Sequence, residues 1–267
     1  MAKFKLPKIG LGTMQGNSKE AKHGFIKGFE IGFRFLDTAQ MYFNERVVGE
    51  AVKESGIPRD EFIVATKLLV NNLSPRRVVK STERSLKRLG FDTIDMLYIH
   101  WPFRFSKIGE KTLKAMSKLV NQGKIRSIAL SNFTPQQVDE AISICDKPIV
   151  ANQVEMHPWL QQKELVAHHK KKGVYVVPYF PLMHGRFSDV PELVELGKKY
   201  SVSGALISLA WLMKKGTVPI PKSINPVHLK ANWESQNIKL SSDDMKLIDS
   251  IEKEKRFLSP PLIAPKW

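Results

Sequence analysis

Arg34-Phe35-Leu36-Asp37-Thr38-Ala39-Gln40-Met41-Tyr42, Phe62-Ile63-Val64-Ala65-Thr66-Lys67 and Met96-Leu97-Tyr98-Ile99-His100-Trp101-Pro102 share one form. Each is a short apolar run that reads as a strand and ends at, or leads into, a titratable side chain. In a β/α barrel, residues at the C-terminal ends of successive parallel strands converge on one mouth, and that mouth is where the chemistry takes place. Asp37, Tyr42, Lys67 and His100 supply a carboxylate, a phenol, an ammonium and an imidazole, a set suited to proton transfer. Any one of them alone reads as a cap or a surface group. Their recurrence in three matching contexts is what carries the reading.

Each type has a separate reason to be there. A free tyrosine, with a pKa of about 10, passes protons poorly near neutrality. A neighbouring ammonium favours the phenolate, so Lys67 is expected to lower the pKa of Tyr42. Asp37 is expected to hold Lys67, and His100 to orient a substrate oxygen or share its proton.

The rest of the chain alternates in the same way. Strands are expected over 8–13, 34–37, 62–67, 94–101, 125–131, 149–154, 174–180 and 217–221. Helices are expected over 18–31, 45–55, 74–89, 110–122, 134–144, 161–172, 191–200 and 203–214, with short ones over 226–233 and 241–252. Ser18 and Thr134 read as N-caps, Pro75 as a first helical residue, and Gly123 and Gly173 as helix stops. Eight strands alternating with helices predict an α/β fold, a (β/α)8 TIM barrel forming a single domain over 1–267. The 267 residues suit one such barrel. The segment 257–267 holds Pro260, Pro261 and Pro265, which exclude a helix. It also holds Phe257, Leu258, Leu262, Ile263 and Trp267, so an extended tail covering something apolar is expected, at the barrel mouth. Only about seven residues precede the first strand, so a single short strand, or Phe4 and Leu6 alone, is expected to close the barrel floor.

Composition excludes several classes. The one cysteine, Cys145, rules out an internal disulfide and reads as a small core residue. No apolar run reaches the roughly 18 residues of a membrane span, and the first residues lack a signal peptide's apolar stretch; a cytoplasmic monomer is expected. The 42 Lys and Arg against 26 Asp and Glu leave a net charge of +16. The cations are interleaved with apolar residues on the helix 74–89 or cluster at a helix end, as at Lys170-Lys171-Lys172, where they suit the helix dipole. No nucleic-acid motif accompanies them, so solvated outer helices are the better reading. Gly10-Leu11-Gly12 with Gly16 fails as a dinucleotide fingerprint, because position 15 is Gln15; the glycines would let the first strand bend. His168 and His169, adjacent on a helix, are expected to point to different sides, and no metal site is expected.

The motifs, in their order, resemble those of the aldo-keto reductase family over nearly the whole chain: Asp37-Thr38-Ala39-Gln40-Met41-Tyr42, Thr66-Lys67, Ile99-His100-Trp101-Pro102, Gly123-Lys124-Ile125-Arg126, Ser131-Asn132-Phe133, Asn152-Gln153-Val154-Glu155 and Ile220-Pro221-Lys222-Ser223. The resemblance implies a nicotinamide dinucleotide laid across the barrel mouth without a Rossmann fold. Ser131, Asn132 and Gln153 match residues that hold the carboxamide, and Tyr179 the ring that stacks on nicotinamide. Thr13, Pro181 and Leu182 complete the cofactor contacts on that side. Lys222 and Ser223 match a grip on a 2′-phosphate, with His228 where an arginine is common, Ala231 where an acid is common, and Asn232 retained. NADPH is therefore the expected cofactor, with NADH possible. After Tyr179 the usual serine is Phe180, and Met183 stands where glycine is frequent.

The implied activity is reduction of an aldehyde or ketone to an alcohol by hydride transfer from NAD(P)H, with Tyr42 as proton donor. Met14, Phe43, Trp101, Phe103, Phe105 and the tail, including Trp267, would wall a substrate pocket. Such walls favour a small carbonyl compound with an apolar body. Two other readings compete: a redox-sensing NADPH-binding module with slow turnover, and a Schiff-base aldolase using Lys67. Pairing with Asp37 argues against the aldolase, since a paired lysine stays protonated.

Overall fold

The computed structural model describes residues 5–267. Seven parallel strands run in sequence order around a barrel: β1 (Leu11–Gly12), β2 (Phe35–Asp37), β3 (Ile63–Leu68), β4 (Ile94–Ile99), β5 (Ile125–Ser131), β6 (Ile149–Glu155) and β7 (Tyr175–Tyr179). Between and after them lie α1 (Lys19–Ile31), α2 (Glu45–Glu54), α3 (Pro75–Leu89), α4 (Phe105–Asn121), α5 (Pro135–Ile144), α6 (Lys163–Lys172), α7 (Pro191–Tyr200), α8 (Gly204–Lys214), α9 (Pro226–Glu234) and α10 (Ser242–Asp249). The (β/α)8 architecture is as the alternation predicts. Ser18 caps α1 through its hydroxyl, and Thr134 forms a full capping box with Gln137 on α5.

The eighth strand differs from the expectation. Residues 217–221 form no regular ladder, yet they close the barrel. Val218 N–H donates to Val176 O at 2.9 Å and Ile220 N–H to Pro178 O at 3.1 Å, on the β7 side. On the other side Gly10 and Gly12 donate to Pro219 O and Pro221 O, both at 3.0 Å. Prolines have no N–H, so this segment can only accept from the first strand. The first strand is accordingly shorter than 8–13, with a ladder only over β1. Its glycines serve close approach rather than bending: a Cβ at Gly10 would lie 2.4 Å from Phe35 Cδ1, and one at Gly12 2.9 Å from Ile220 O.

The barrel interior is narrow, filled by Phe35, Ala65, Met96, Ala129, Ala151 and Val177. Leu6 packs into this cluster from below; Phe4 lies outside the described residues. A second apolar layer joins the outer faces of the strands to the helices, as at Leu97, Ile128 and Leu113. Helix α4 begins at Phe105, earlier than expected, because Phe105 packs edge-on against Phe133 at 4.8 Å; it is a core residue and not a pocket wall. Cys145 ends α5 half-buried, its Sγ 3.8 Å from Ser117 Oγ, and burial pushes its thiol up. His168 and His169 touch at one edge but face different sides, His169 into the core and His168 toward α5. Their Nδ1 atoms lie 3.3 Å apart, while their Nε2 atoms face separate partners, Asn152 for His169 at 2.9 Å and Asp139 for His168 at 3.0 Å. Among the described residues no helix is long and apolar enough to cross a membrane.

Gly12→Ala tests the closure. A methyl group against a fixed backbone carbonyl must push the closing segment away, an overpacking cost of about 1–3 kcal/mol. The melting temperature should fall by roughly 2–6 °C; an unchanged value in thermal unfolding would show that β1 and residues 217–221 part without cost.

Candidate active site

Strand register places the four titratable residues at one end of the barrel. Asp37, the last residue of β2, sits level with Gly12 of β1 and Ala65 of β3. Lys67 lies two residues further along β3, opposite Tyr98 of β4. His100 follows the end of β4. Tyr42 returns to the group on a single 3₁₀ turn, Gln40–Tyr42.

Lys67 is the hub. Its fully buried ammonium donates to Asp37 Oδ1, to Thr38 O at 2.9 Å and to the Tyr42 hydroxyl at 3.4 Å. The other carboxylate oxygen of Asp37 accepts from Gln153 Nε2 at 2.7 Å. Burial pushes the Lys67 ammonium toward neutrality, but Asp37 and Tyr42 outweigh it and hold its pKa above the ordinary value. Burial also raises Asp37, against the opposing pull of Lys67 and Gln153. Lysine and aspartate therefore form one buried ion pair.

The phenol of Tyr42 departs from the expectation in its net direction. Burial raises its pKa, the Lys67 charge pulls it down, Asp37 pushes it up, and the result lies above the ordinary tyrosine value. The downward pull of Lys67 is present; desolvation is larger. His100 stands edge-on to Tyr42 with ring centroids 6.3 Å apart. Burial, with the Lys67 charge acting in the same direction, lowers its imidazole to about 3. His100 is thus a neutral ring that can orient an oxygen but carries no charge near neutrality.

The turn bearing Tyr42 is held by two residues outside the expected set. Asn44 accepts from Thr38 Oγ1 at 2.6 Å and donates to Thr13 O at 2.6 Å, while Thr13 Oγ1 donates to Asp37 O at 2.9 Å. Gln40 accepts from Leu69 N and Asn72 Nδ2 and donates to Ser81 O and Ser85 Oγ. An Asn and a Gln after a strand carry no local signal of these roles. Their partners lie 31 and up to 45 residues away.

A cavity of about 300 Å³ opens above Tyr42 and His100. Of the expected cofactor residues it brings together Thr13, Ser131, Asn132, Gln153, Tyr179, Pro181, Leu182 and Lys222, and of the expected substrate walls Met14 and Trp101. Ser223, His228 and Asn232 lie beyond it, on or just before the first turns of α9. There the Ser223 hydroxyl accepts from Asn225 N–H at 3.1 Å, and His228 is exposed. Phe43 does not reach the cavity: it holds a left-handed backbone (φ 55°) and is 84% exposed. Trp267 does not either, because Arg256 stacks on its ring at 3.7 Å and keeps it at a neighbouring groove beside Trp159 and Gln162. Leu258 is the tail residue in the cavity wall, together with His184 and Gly185, which the motifs do not mark.

Asn132 is largely engaged within the protein, with one lone pair of its Oδ1 left over. Its Nδ2 donates to His100 O and Ser131 Oγ at 3.0 and 3.1 Å, and its Oδ1 accepts from the Tyr179 hydroxyl at 2.8 Å. Among the described residues no group of three or more His, Cys, Asp or Glu is placed to hold a metal ion.

Residues 8–253 match the Aldo/keto reductase family. The chain belongs to the aldo-keto reductase family. Members of this family reduce carbonyl groups with NAD(P)H. The chain is 33% identical over 264 residues to the methylglyoxal reductase DkgB of Escherichia coli O157:H7, covering 98% of this chain and 99% of that one. An aldo-keto reductase from a Medee basin deep-sea metagenome library matches the structure with a TM-score of 0.92 at 33% identity, over 96% of this chain and 95% of that one. The Bombyx mori aldo-keto reductase, solved in complex with NADP, matches with a TM-score of 0.88 at 31% identity, over 95% and 92%.

The two shifts fix a pH profile. His100 takes up a proton only as the pH falls toward 3, and Tyr42 loses its own only above the usual tyrosine range. Neither group should therefore put a limb into the kcat/KM profile for carbonyl reduction between about pH 5 and 9. An acid limb near the ordinary imidazole value would mean that His100 works as a charged group.

Proposed function

We propose that the protein reduces small aldehydes or ketones with an apolar body, using NADPH, with Tyr42 as the proton donor. One observation carries this reading: the Lys67 ammonium touches both the Asp37 carboxylate and the Tyr42 hydroxyl directly beneath the cavity. Tyr42 holds its proton at neutral pH, which suits donation to an oxygen that is gaining negative charge. The Lys67 ammonium stabilises the phenolate left behind, and Asp37 keeps that ammonium in place. His100, as a neutral donor, orients the carbonyl oxygen toward the phenol.

The donors and acceptors present fit a nicotinamide dinucleotide. With Nε2 committed to Asp37, Gln153 retains Oε1 as an acceptor for the carboxamide NH₂. Ser131 accepts from Asn132 and so keeps its own hydroxyl proton for the carboxamide oxygen. Asn132, already engaged, holds His100 and Tyr179 in place; Tyr179 offers a ring face. Lys222, Ser223 and the exposed His228 would serve the 2′-phosphate. When bound, the dinucleotide supplies the hydride. A Schiff-base role for Lys67 is disfavoured, because an ammonium held protonated by Asp37 has no free electron pair for a carbonyl carbon.

The reading is tested by following NADPH oxidation against a panel of aldehydes and ketones. Tyr42→Phe should cut kcat by about 10²–10⁴-fold while NADPH binding changes little; near-normal turnover would remove Tyr42 as the donor. Tight NADPH binding with no turnover of any carbonyl by the unaltered protein would favour a sensing role instead. His228→Arg tests the cofactor preference. A guanidinium fork on a phosphate adds a charge-assisted contact, so the preference for NADPH over NADH should rise by about tenfold. An unchanged ratio of the two binding constants would place the phosphate elsewhere.

A further inference from the structure

Glu155 ends β6 one strand residue beyond Val154, and it is fully buried. It does not line the cavity. Its carboxylate accepts three hydrogen bonds: from Phe257 N–H at 2.5 Å, from Leu258 N–H at 2.9 Å, and from His157 Nε2 at 3.0 Å. Two of the three donors are therefore backbone amides of the C-terminal segment, more than a hundred residues away. Among the described residues no lysine or arginine forms a salt bridge with it; Arg256, next to the clipped amides, stacks on Trp267 instead. A buried carboxylate is costly unless its lone pairs are satisfied, and here the tail supplies most of that satisfaction.

We propose that Glu155 is a positioning residue that clips the tail at Phe257 and Leu258, and through Leu258 sets which carbonyl substrates the mouth accepts; the second half rests on the reductase reading above. The tail has further attachments beside the clip. Lys255 N–H donates to Trp159 O at 2.7 Å, and the Phe257 ring packs on His157 at 5.0 Å. Phe257 also meets His184 edge-on at 5.3 Å, and His184 stacks on Phe180 at 4.0 Å. His184, Phe180 and Leu258 all line the cavity. One carboxylate thus fixes the tail wall and, through Phe257, braces the neighbouring segment after β7.

Amide hydrogen exchange on the full chain tests the clip without reference to activity. In the unaltered protein the Phe257 and Leu258 amides should exchange far more slowly than that of Leu262, whose side chain is 95% exposed; fast exchange at both would overturn the clip. In Glu155→Gln an amide NH₂ faces an N–H donor, so exchange at those two amides should speed up at least about tenfold while β4 and β5 amides stay unchanged. In the same variant kcat/KM for bulky apolar carbonyls should fall about tenfold, mainly through KM, with the smallest aldehyde within about twofold. Leu258→Ala should lower the bulky-substrate value similarly and add little in the Glu155→Gln background. Equal losses for small and bulky substrates, or full multiplication of the two single losses, would overturn the specificity role. If the unaltered protein reduced no carbonyl at all, the reductase reading would fail while the exchange data still decided the clip.

Discussion

The buried ion pair between Lys67 and Asp37 is the constraint on which the rest of the mouth depends. Taking an ammonium and a carboxylate out of water costs several kcal/mol each, and their mutual attraction offsets that only when the remaining hydrogen-bonding capacity is met. Here it is met: Lys67 reaches Thr38 O and the Tyr42 hydroxyl besides Asp37, and Asp37 reaches Gln153. Every one of those partners must then be held at hydrogen-bonding distance. Thr13, Thr38 and Asn44 lock the backbone after β2, and Gln40 ties the Tyr42 turn to α3. The pair is a poor source of stability. Its use is to place a charge beneath a phenol that burial alone would make a weaker acid still.

Barrel closure serves the same end. Asp37 is aligned with Gly12, and Gly12 is hydrogen-bonded to Pro221. A side chain at Gly12 would push the closing segment away from β1, and with it the Pro221-Lys222 stretch that borders the cavity. Pro219 and Pro221 restrict that segment to donating toward β7 and accepting from the first strand. Its sidedness is therefore written into residue chemistry, though it forms no continuous ladder.

Much of this was legible in the chain because it is local. An apolar run ending at Asp37, Lys67 or His100 states both its strand and the position of its last side chain. Ser131, Gln153 and Tyr179 could be placed at the mouth for the same reason. What was not legible depends on partners distant in sequence. Asn44 and Gln40 look like ordinary polar turn residues until the chain brings Thr13 and Ser85 to them. Trp267 looks like a pocket wall by its apolar character, but Arg256 holds it outside. Desolvation is equally invisible in a motif: proximity of Lys67 argues for a lowered Tyr42 pKa, and only the packing around the phenol shows that burial outweighs it.

The two sides of the mouth are built differently, and this follows from where each obtains its rigidity. On the β2–β4 side, side chains are fixed by hydrogen bonds to strands and to α3. On the β7 side the chain runs through left-handed backbone at Phe180, Met183 and His184 (φ 50°, 54° and 54°) before Gly185. Each non-glycine residue there costs roughly 1 kcal/mol of backbone strain. Burial of Met183 against the outer core offsets that cost, since deleting a buried methionine typically costs about 2–5 kcal/mol. Glycine at the same position would relieve the strain and loosen the segment. Methionine instead ties it to the packing beneath α7 and α8, while Phe180 and His184 stack above. The segment facing the cavity is thereby stiffened by side chains where glycine would have left it free, and its position becomes sensitive to whatever Phe257 does against His184.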